Sequence, residues 1–134
     1  MTVFGTPRPA TILIADDYAD NRELLRLLLT QAKYSVQETS SGQECLKMAT
    51  EQPPDLIMLD LLMPGMDGWG VCRALRSDPR TASIPCIAVT ASDFDRKRAL
   101  EAGFNGYILK PFNRPELFET IDKLLSPKSE IVQP

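Results

Sequence analysis

Short apolar runs alternate five times with longer segments in which apolar residues recur at helical spacing. This alternation predicts an α/β domain with a parallel sheet and helices on both of its faces, the doubly wound arrangement. The first, third and fourth runs lack polar alternation, as expected for strands buried on both faces. The five predicted strands are Thr11–Ala15, Ser35–Thr39, Leu56–Asp60, Cys86–Thr90 and Gly106–Leu109.

Two of the predicted helices carry clear apolar stripes. The first covers about residues 19–32, where Leu24 stacks with Leu28 and Leu25 with Leu29 at i, i+4 spacing. The stripe predicted for the fifth helix consists of Leu117, Phe118, Ile121, Leu124 and Leu125. Both helices are therefore expected to pack an apolar face against the sheet.

Polar residues in front of three helices are placed to act as caps. Ser41 and Glu44 resemble a capping box at the start of the second helix, in which both side chains accept backbone N–H groups. Asn113 is a plausible cap of the fifth helix, which has Pro115 in its first turn. Ser92 stands similarly before the fourth helix, and a role in a pocket is its alternative.

The fourth helix, predicted over about residues 94–102, differs from the others. Its centre is charged, and its only bulky apolar residues are Phe94 and Leu100. So thin a stripe predicts shallow docking. Either it is a solvated surface helix, or it is a movable element that faces a partner.

Length and composition fit a single domain, since the chain has 134 residues and 43% of them are hydrophobic. We expect a domain over residues 10–125, with an extension at 1–9 and a tail at 126–134 that has two prolines and no helical stripe. There is no signal-like start and no segment near the ~18 apolar residues of a membrane span. A cytoplasmic protein is therefore expected.

Charge and residue usage exclude several function classes. The net charge of -3 argues against binding to nucleic acid or to an anionic membrane, both of which favour a basic face. Histidine is absent, which excludes a Ser/His/Asp triad, a His-ligated zinc and a phosphohistidine on this chain. Cys45, Cys72 and Cys86 form no CxxC pair and are expected to be reduced core residues.

Charged and hydroxyl side chains stand where four of the predicted strands end. Asp16 and Asp17 follow the first strand, Asp60 ends the third, Thr90 ends the fourth and Lys110 follows the fifth. Singly, each is an ordinary cap, β-former or solvated lysine. Together they would meet at the carboxyl edge of a parallel sheet, where such sheets bind ligands. Two carboxylates ~4 Å apart repel by ~4 kcal/mol at an effective dielectric of ~20, so a bound cation, Mg²⁺ or Mn²⁺, or a retained proton is required.

These motifs resemble the receiver domain of bacterial two-component response regulators. The motifs that carry the resemblance are Asp16-Asp17, the run from Asp60 to Gly68, Thr90-Ala91 and Lys110-Pro111. The resemblance covers about residues 10–125. It implies a flavodoxin-like sheet of strand order 2-1-3-4-5.

For the acidic residues, the resemblance implies one acceptor and one metal site. Asp60 would accept a phosphoryl group. Asp17, Asp60 and the backbone carbonyl of Leu62 would bind Mg²⁺ directly, and Asp16 would hold it through water.

The resemblance also implies a phosphate site and a switch. Lys110 would contact a phosphoryl oxygen, and its bond to Pro111 would be cis. Thr90 would be the switch hydroxyl, and the small Ala91 would leave access to the phosphate. Tyr107 matches an aromatic switch position whose ring is expected to turn inward on activation.

The function implied is that of a single-domain response regulator, a signalling switch that catalyses only its own phosphorylation and dephosphorylation. The donor would be the phosphohistidine of a sensor histidine kinase or of a histidine phosphotransfer protein. The output would be contact with a downstream effector protein through the fourth helix, fifth strand and fifth helix, without nucleic acid or membrane.

Three alternatives remain. A Mg²⁺-dependent phosphohydrolase with an aspartyl nucleophile would need an acid at the position of Leu62. A nucleotide or flavin carrier would need a glycine-rich phosphate loop after the first strand, where Asp16 and Asp17 stand instead. A receiver that binds partners without phosphate would not need the intact acidic set.

Overall fold

The computed structural model describes residues 8–125, which form five parallel strands and five α-helices. The strands are β1 (Thr11–Ala15), β2 (Ser35–Thr39), β3 (Leu56–Asp60), β4 (Cys86–Thr90) and β5 (Gly106–Leu109). The helices are α1 (Ala19–Gln31), α2 (Gly42–Glu51), α3 (Gly68–Ser77), α4 (Arg96–Ala102) and α5 (Arg114–Leu125). The sheet order is β2-β1-β3-β4-β5 and every pairing is parallel, which confirms the predicted fold class and order.

The sheet separates two buried layers, because successive residues of a strand point to opposite faces. In β1, Ile12 and Ile14 pack with apolar residues of α1 and α5. Leu13 and Ala15 pack on the other face, with residues of α2, α3 and α4. The predicted extension and tail lie largely outside the described residues, and within residues 8–125 no helix has the length and apolar character of a membrane span.

The stripe predicted for α1 is partly wrong. Leu25 and Leu29 are buried and Leu28 is partly buried, but Leu24 is 44% exposed. Each helical residue turns about 100° from the one before it, so Leu24 points away from the face that buries Leu25. In α5, Leu117 and Ile121 are buried, and the other three members of the predicted stripe pack beside them.

The Ser41 and Asn113 caps are confirmed, since the Ser41 hydroxyl accepts the Glu44 N–H at 3.1 Å and Asn113 accepts the Glu116 N–H at 3.1 Å. The Ser92 hydroxyl accepts the Phe94 N–H at 3.2 Å, but it caps a short 3₁₀ helix at Asp93–Asp95, and α4 itself has no side-chain cap at its N-cap residue, Asp95. The reciprocal half of the capping box is wrong. The Ser41 N–H donates to the Thr39 hydroxyl at 3.3 Å and has no need of the Glu44 carboxylate.

Helix α4 is shallowly docked, as its sequence predicts. It follows a short 3₁₀ helix at Asp93–Asp95, and Ala99 is its one buried residue. Phe94 is 95% exposed. Two arginines of α4 lie over aromatic rings of neighbouring elements, Arg96 at 4.7 Å from the centre of the Tyr107 ring and Arg98 at 4.3 Å from that of Trp69. Such contacts hold a helix less firmly than a buried apolar face does.

Candidate functional site

Three carboxylates meet at the carboxyl edge of the sheet. Strands β1 and β3 are paired, so Asp60 at the end of β3 lies beside Asp16 and Asp17, which follow β1. One carboxylate oxygen from each of the three lies within 4.8 Å of the other two. Asp16 and Asp60 are buried, whereas Asp17 is exposed. The convergence expected from strand order is therefore present.

The Lys110 ammonium lies between two of these carboxylates. Its Nζ is 3.3 Å from Asp16 Oδ2 and 3.2 Å from Asp60 Oδ2. Lys110 follows β5, two strands away from β3, and its side chain reaches across the end of β4. The peptide bond from Lys110 to Pro111 is cis, as expected. Three carboxylates and one ammonium leave two negative charges in the pocket, which one divalent cation would balance.

Backbone N–H groups fix the two buried carboxylates. Asp16 Oδ1 accepts the Tyr18 N–H at 2.9 Å, and Asp60 Oδ1 accepts the Leu62 N–H at 3.1 Å. In both cases the donor lies two residues beyond the aspartate, in the loop that leaves the strand. The loops therefore turn at the pocket and place backbone groups of Leu62 beside Asp60, while the Leu62 side chain is 75% exposed.

The pKa of Asp60 is raised above its ordinary value. Burial is the first cause, and the Asp16 carboxylate adds to it, while the hydrogen bond from Leu62 and the charge of Lys110 oppose it. The ionised form of Asp60 is thus incompletely compensated by the protein's own groups. A divalent cation with hard oxygen ligands fits this donor set, because the oxygens are already gathered and the excess charge is negative.

Thr90 ends β4 beside this pocket and is buried. Its Oγ1 accepts the Ser92 N–H at 3.2 Å, so the hydroxyl hydrogen remains available as a donor. Ala91, the next residue, is exposed. The Lys110 N–H donates to the Thr90 carbonyl at 2.9 Å, which ties the lysine backbone to the end of β4.

The Tyr107 ring points inward, with 4% of the residue exposed. Its hydroxyl donates to the Ser92 carbonyl, and Arg96 covers the ring. These backbone and arginine contacts hold the ring in the inward position. Its movement on activation stays a prediction.

Sequence reasoning missed two residues that shape the pocket. A Cβ atom on Gly68 would lie 2.5 Å from the Asp60 carbonyl oxygen, so glycine is required there for close approach, and no positive φ is involved. Arg22 Nη1 donates to the Asp16 carbonyl at 2.7 Å. Gly68 belongs to the run from Asp60 to Gly68 that carries the family resemblance, so the sequence does contain a signal for it. The contact of Arg22 depends on how α1 docks, and no sequence pattern indicates it.

Comparison with known proteins assigns the family. The family model that describes the response regulator receiver domain matches residues 12–122. The response regulator PleD of Caulobacter vibrioides is 42% identical over 117 residues, which cover 86% of this chain and 26% of PleD. The transcriptional regulatory protein ResD of Bacillus subtilis is 40% identical over 121 residues, 89% of this chain and 49% of ResD. The chain thus spans between about a quarter and a half of these relatives.

Solved structures share the fold closely. The receiver domain of a Pseudomonas aeruginosa sensor histidine kinase, crystallised with a magnesium ion coordinated in its active-site cleft, matches with a TM-score of 0.83 and 30% identity over 90% of this chain and 100% of that one. The Vibrio cholerae chemotaxis protein CheY4 matches with a TM-score of 0.82 and 28% identity over 88% of this chain and 100% of that one. With the matched family, these likenesses show that the chain belongs to the response regulator receiver domains, which act as switches in two-component signalling.

Proposed function

We propose that this domain accepts a phosphoryl group from the phosphohistidine of a partner protein onto Asp60. The proposal includes a Mg²⁺ ion held directly by Asp17, Asp60 and the backbone carbonyl of Leu62, and through water by Asp16. The single observation that carries it is the cluster of three carboxylate oxygens within 4.8 Å, with the Lys110 ammonium beside two of them. The magnesium ion in the cleft of the Pseudomonas aeruginosa receiver domain supports the choice of metal.

The transfer proposed is an in-line displacement at phosphorus. An oxygen of the Asp60 carboxylate forms a bond to phosphorus while the bond from phosphorus to the partner's imidazole nitrogen breaks, and that nitrogen keeps the electron pair. Bound Mg²⁺ would supply positive charge to the phosphoryl oxygens. Lys110 neutralises Asp60 before the transfer and can donate to a phosphoryl oxygen after it. Hydrolysis would reset the switch, as the oxygen of a water molecule bonds to the same phosphorus while the bond from phosphorus to the Asp60 oxygen breaks, which releases inorganic phosphate and restores the carboxylate.

Asp60 must be ionised to act as the nucleophile. The Leu62 N–H and the Lys110 ammonium both favour the ionised form and oppose the effect of burial. These two groups touch different oxygens of the carboxylate, Oδ1 and Oδ2. A cation in the pocket would further favour ionisation.

The proposed switch begins at Thr90 and Ala91. The Thr90 hydroxyl accepts the Ser92 N–H and keeps its own hydrogen available for an acceptor. A phosphoryl group on Asp60 provides that acceptor, while the small Ala91 side chain leaves room for it. When Thr90 turns to donate, the Ser92 segment moves, and the Tyr107 hydroxyl that is bound to the Ser92 carbonyl moves with it.

The output surface proposed is the face formed by α4, β5 and α5. A groove of about 310 Å³ lies there, lined by residues that include Arg96, Leu100, Tyr107 and Lys123. The shallow docking of α4 lets this groove change shape at small cost. The partners proposed are a sensor histidine kinase or a histidine phosphotransfer protein as donor and an effector protein at this face, with neither nucleic acid nor membrane bound by the domain itself.

The proposed limits of the domain are residues 10–125, and the family match over 12–122 supports them. The proposed location is the cytoplasm, where thiols stay reduced. Cys45, Cys72 and Cys86 are all free and buried, which suits that compartment. The phosphohydrolase alternative is disfavoured, since the exposed Leu62 side chain offers no acid group.

Mass spectrometry of the intact protein tests the proposal. The protein is incubated with a small acyl phosphate and Mg²⁺, and one added phosphoryl group is expected. Asp60→Asn should abolish uptake. Asp67→Asn is the matched control, because Asp67 is an exposed N-cap of α3 in the same loop and asparagine caps equally well. Uptake by Asp60→Asn equal to that of the control would refute Asp60 as the acceptor.

A further inference from the structure

We propose that Arg22 is a positioning residue for the acidic pocket. It fixes the peptide group between Asp16 and Asp17, and in this way holds the Asp17 carboxylate where a divalent cation can use it. The inference rests on the proposed Mg²⁺ site and extends that site to a side chain outside the carboxylate cluster.

The Asp17 carboxylate is held differently from those of Asp16 and Asp60. The carboxylates of Asp16 and Asp60 each accept a backbone hydrogen bond and lie beside Lys110. Asp17 is exposed, and among residues 8–125 no side-chain hydrogen bond or ion pair fixes its carboxylate. Its place in the cluster is therefore set by the backbone that carries it.

Arg22 holds that backbone from the side of α1. Its Nη1 donates to the Asp16 carbonyl oxygen at 2.7 Å. The peptide unit that begins at this carbonyl is planar, so fixing the oxygen also fixes the orientation of the Asp17 amide. On the other side, the Asp16 N–H donates to the Thr39 carbonyl at 3.1 Å. The loop that starts at Asp16 is thus held from both sides before it reaches Asp17.

Glu38 in turn holds Arg22. The Arg22 Nε lies 3.3 Å from Glu38 Oε1, and the Arg26 Nε lies 2.8 Å from Glu38 Oε2. Glu38 sits on β2 opposite Ile14, so its backbone is part of the sheet. The Arg22 side chain is only 20% exposed. These contacts form a relay from β2 through Arg22 to the Asp16 carbonyl, and the guanidinium charge is paired outside the pocket.

A simple charge effect would have the opposite sign. If Arg22 acted only as a positive charge near the pocket, its removal would lower the repulsion of a cation and strengthen Mg²⁺ binding. If Arg22 positions Asp17, its removal lets the carboxylate leave the cluster and weakens Mg²⁺ binding. The direction of the change therefore distinguishes the two roles.

The test is a titration of the full chain with MgCl₂, followed by NMR at the Leu62 amide, whose N–H donates to Asp60 Oδ1. Arg22→Met should raise the Mg²⁺ Kd by roughly 10- to 100-fold, the usual effect of removing a group that orients a metal ligand. Arg26→Met is the matched control, since it removes the other ion pair of Glu38 and leaves the bond to Asp16 intact. Its Kd should stay within about twofold of wild type.

Two further variants keep the test decisive. Glu38→Gln should weaken Mg²⁺ binding less than Arg22→Met does, because the arginine stays but loses its ion pair. Arg22→Lys keeps the charge and, with a single ammonium, cannot hold Glu38 and the Asp16 carbonyl as a guanidinium does. Arg22→Lys should also bind Mg²⁺ more weakly than wild type. It replaces Arg22→Met in the test if that variant does not fold.

The outcomes separate this inference from the proposed function. If wild type binds Mg²⁺ and the Arg22 variants bind it equally or more tightly, the positioning role is overturned and the metal site stands. If wild type shows no response to Mg²⁺, the metal site fails and the positioning role fails with it. Thermal unfolding of both methionine variants measures any general loss of stability. A loss that is equal in the two variants would not explain a difference between their Mg²⁺ affinities.

Discussion

Replacing Asp60 with asparagine should stabilise the metal-free protein. Asparagine keeps the shape of the side chain and removes its charge. The pKa of Asp60 is raised in the folded protein by burial first and also by the Asp16 carboxylate. Folding therefore disfavours the ionised form, and the charge at Asp60 lowers the free energy of unfolding near neutral pH.

The size of the effect follows from the distances in the pocket. One carboxylate oxygen each of Asp16 and Asp17 lies within 4.8 Å of Asp60, and at an effective dielectric of ~20 a full charge at that separation contributes about 3.5 kcal/mol of repulsion, whereas the Lys110 ammonium at 3.2 Å contributes about 5 kcal/mol of attraction. Asp17 is exposed and its charge is screened, so these charge contributions nearly cancel. Burial then decides the sign, and the expected net gain for Asp60→Asn is about 1 kcal/mol. In a domain of this size that raises Tm by roughly 4 °C.

Thermal unfolding followed by circular dichroism measures this gain, with EDTA present and Asp67→Asn as control. The raised pKa of Asp60 determines how the free energy of unfolding changes with pH. Between the ordinary pKa of 3.8 and the raised one, the folded protein binds more protons than the unfolded chain, so stability from this group falls as pH rises. The advantage of Asp60→Asn should be full above the raised pKa and vanish as pH approaches the ordinary value.

Two results would refute this reasoning. One is a lower Tm for Asp60→Asn than for wild type at neutral pH in EDTA. The other is an advantage that persists unchanged down to the ordinary pKa of the carboxyl group. Excess Mg²⁺ should reverse the order, because wild type then gains binding free energy that the variant lacks.

Three further predictions concern packing and the switch. Gly68→Ala should lower the free energy of unfolding by about 1 to 3 kcal/mol in urea titrations, because the added Cβ would meet the Asp60 carbonyl. Gly70→Ala should lower it less, since a Cβ there would meet only side-chain atoms at 3.4 Å or more. Equal losses in the two variants would contradict the close-approach argument. Phe94→Ala should change stability by no more than about 0.5 kcal/mol, since Phe94 is 95% exposed, whereas a loss above about 2 kcal/mol would show that this segment packs elsewhere. Thr90→Ala should still accept a phosphoryl group, as measured by mass spectrometry, but should lose the phosphate-dependent NMR shifts of α4. Thr90→Ser keeps the hydroxyl and should retain these shifts. Shifts that survive in Thr90→Ala would show that the hydroxyl has no part in the switch.

The sequence predicts the strands and the acidic cluster because both depend on local signals. Strands buried on both faces leave continuous apolar runs, and residues Leu56 to Leu59 of β3 form such a run, which Asp60 ends. Once the strands are parallel, the residues that end them must share one edge of the sheet. The sequence alone therefore predicts that Asp16, Asp60 and Lys110 lie close together, as they do in the structure.

Features that depend on how elements dock could not be predicted in this way. The leucines of α1 are identical in type, and the docking angle of the helix alone decides that Leu24 is exposed and Leu25 buried. The hydrogen bond from Arg22 to the Asp16 carbonyl depends on how α1 docks against the sheet. The close approach of Gly68 to the Asp60 carbonyl likewise depends on how the start of α3 lies against the end of β3. The inward position of Tyr107 likewise depends on Ser92 and Arg96, which belong to another segment.

The most direct test of the central claim is to locate the phosphoryl group on the chain. After reaction with a small acyl phosphate and Mg²⁺, borohydride reduction converts an aspartyl phosphate to homoserine, and peptide mapping identifies the residue. The account predicts homoserine at position 60 and nowhere else, and none when EDTA replaces Mg²⁺. Modification at another aspartate, or equal modification of Asp60 in EDTA, would contradict it.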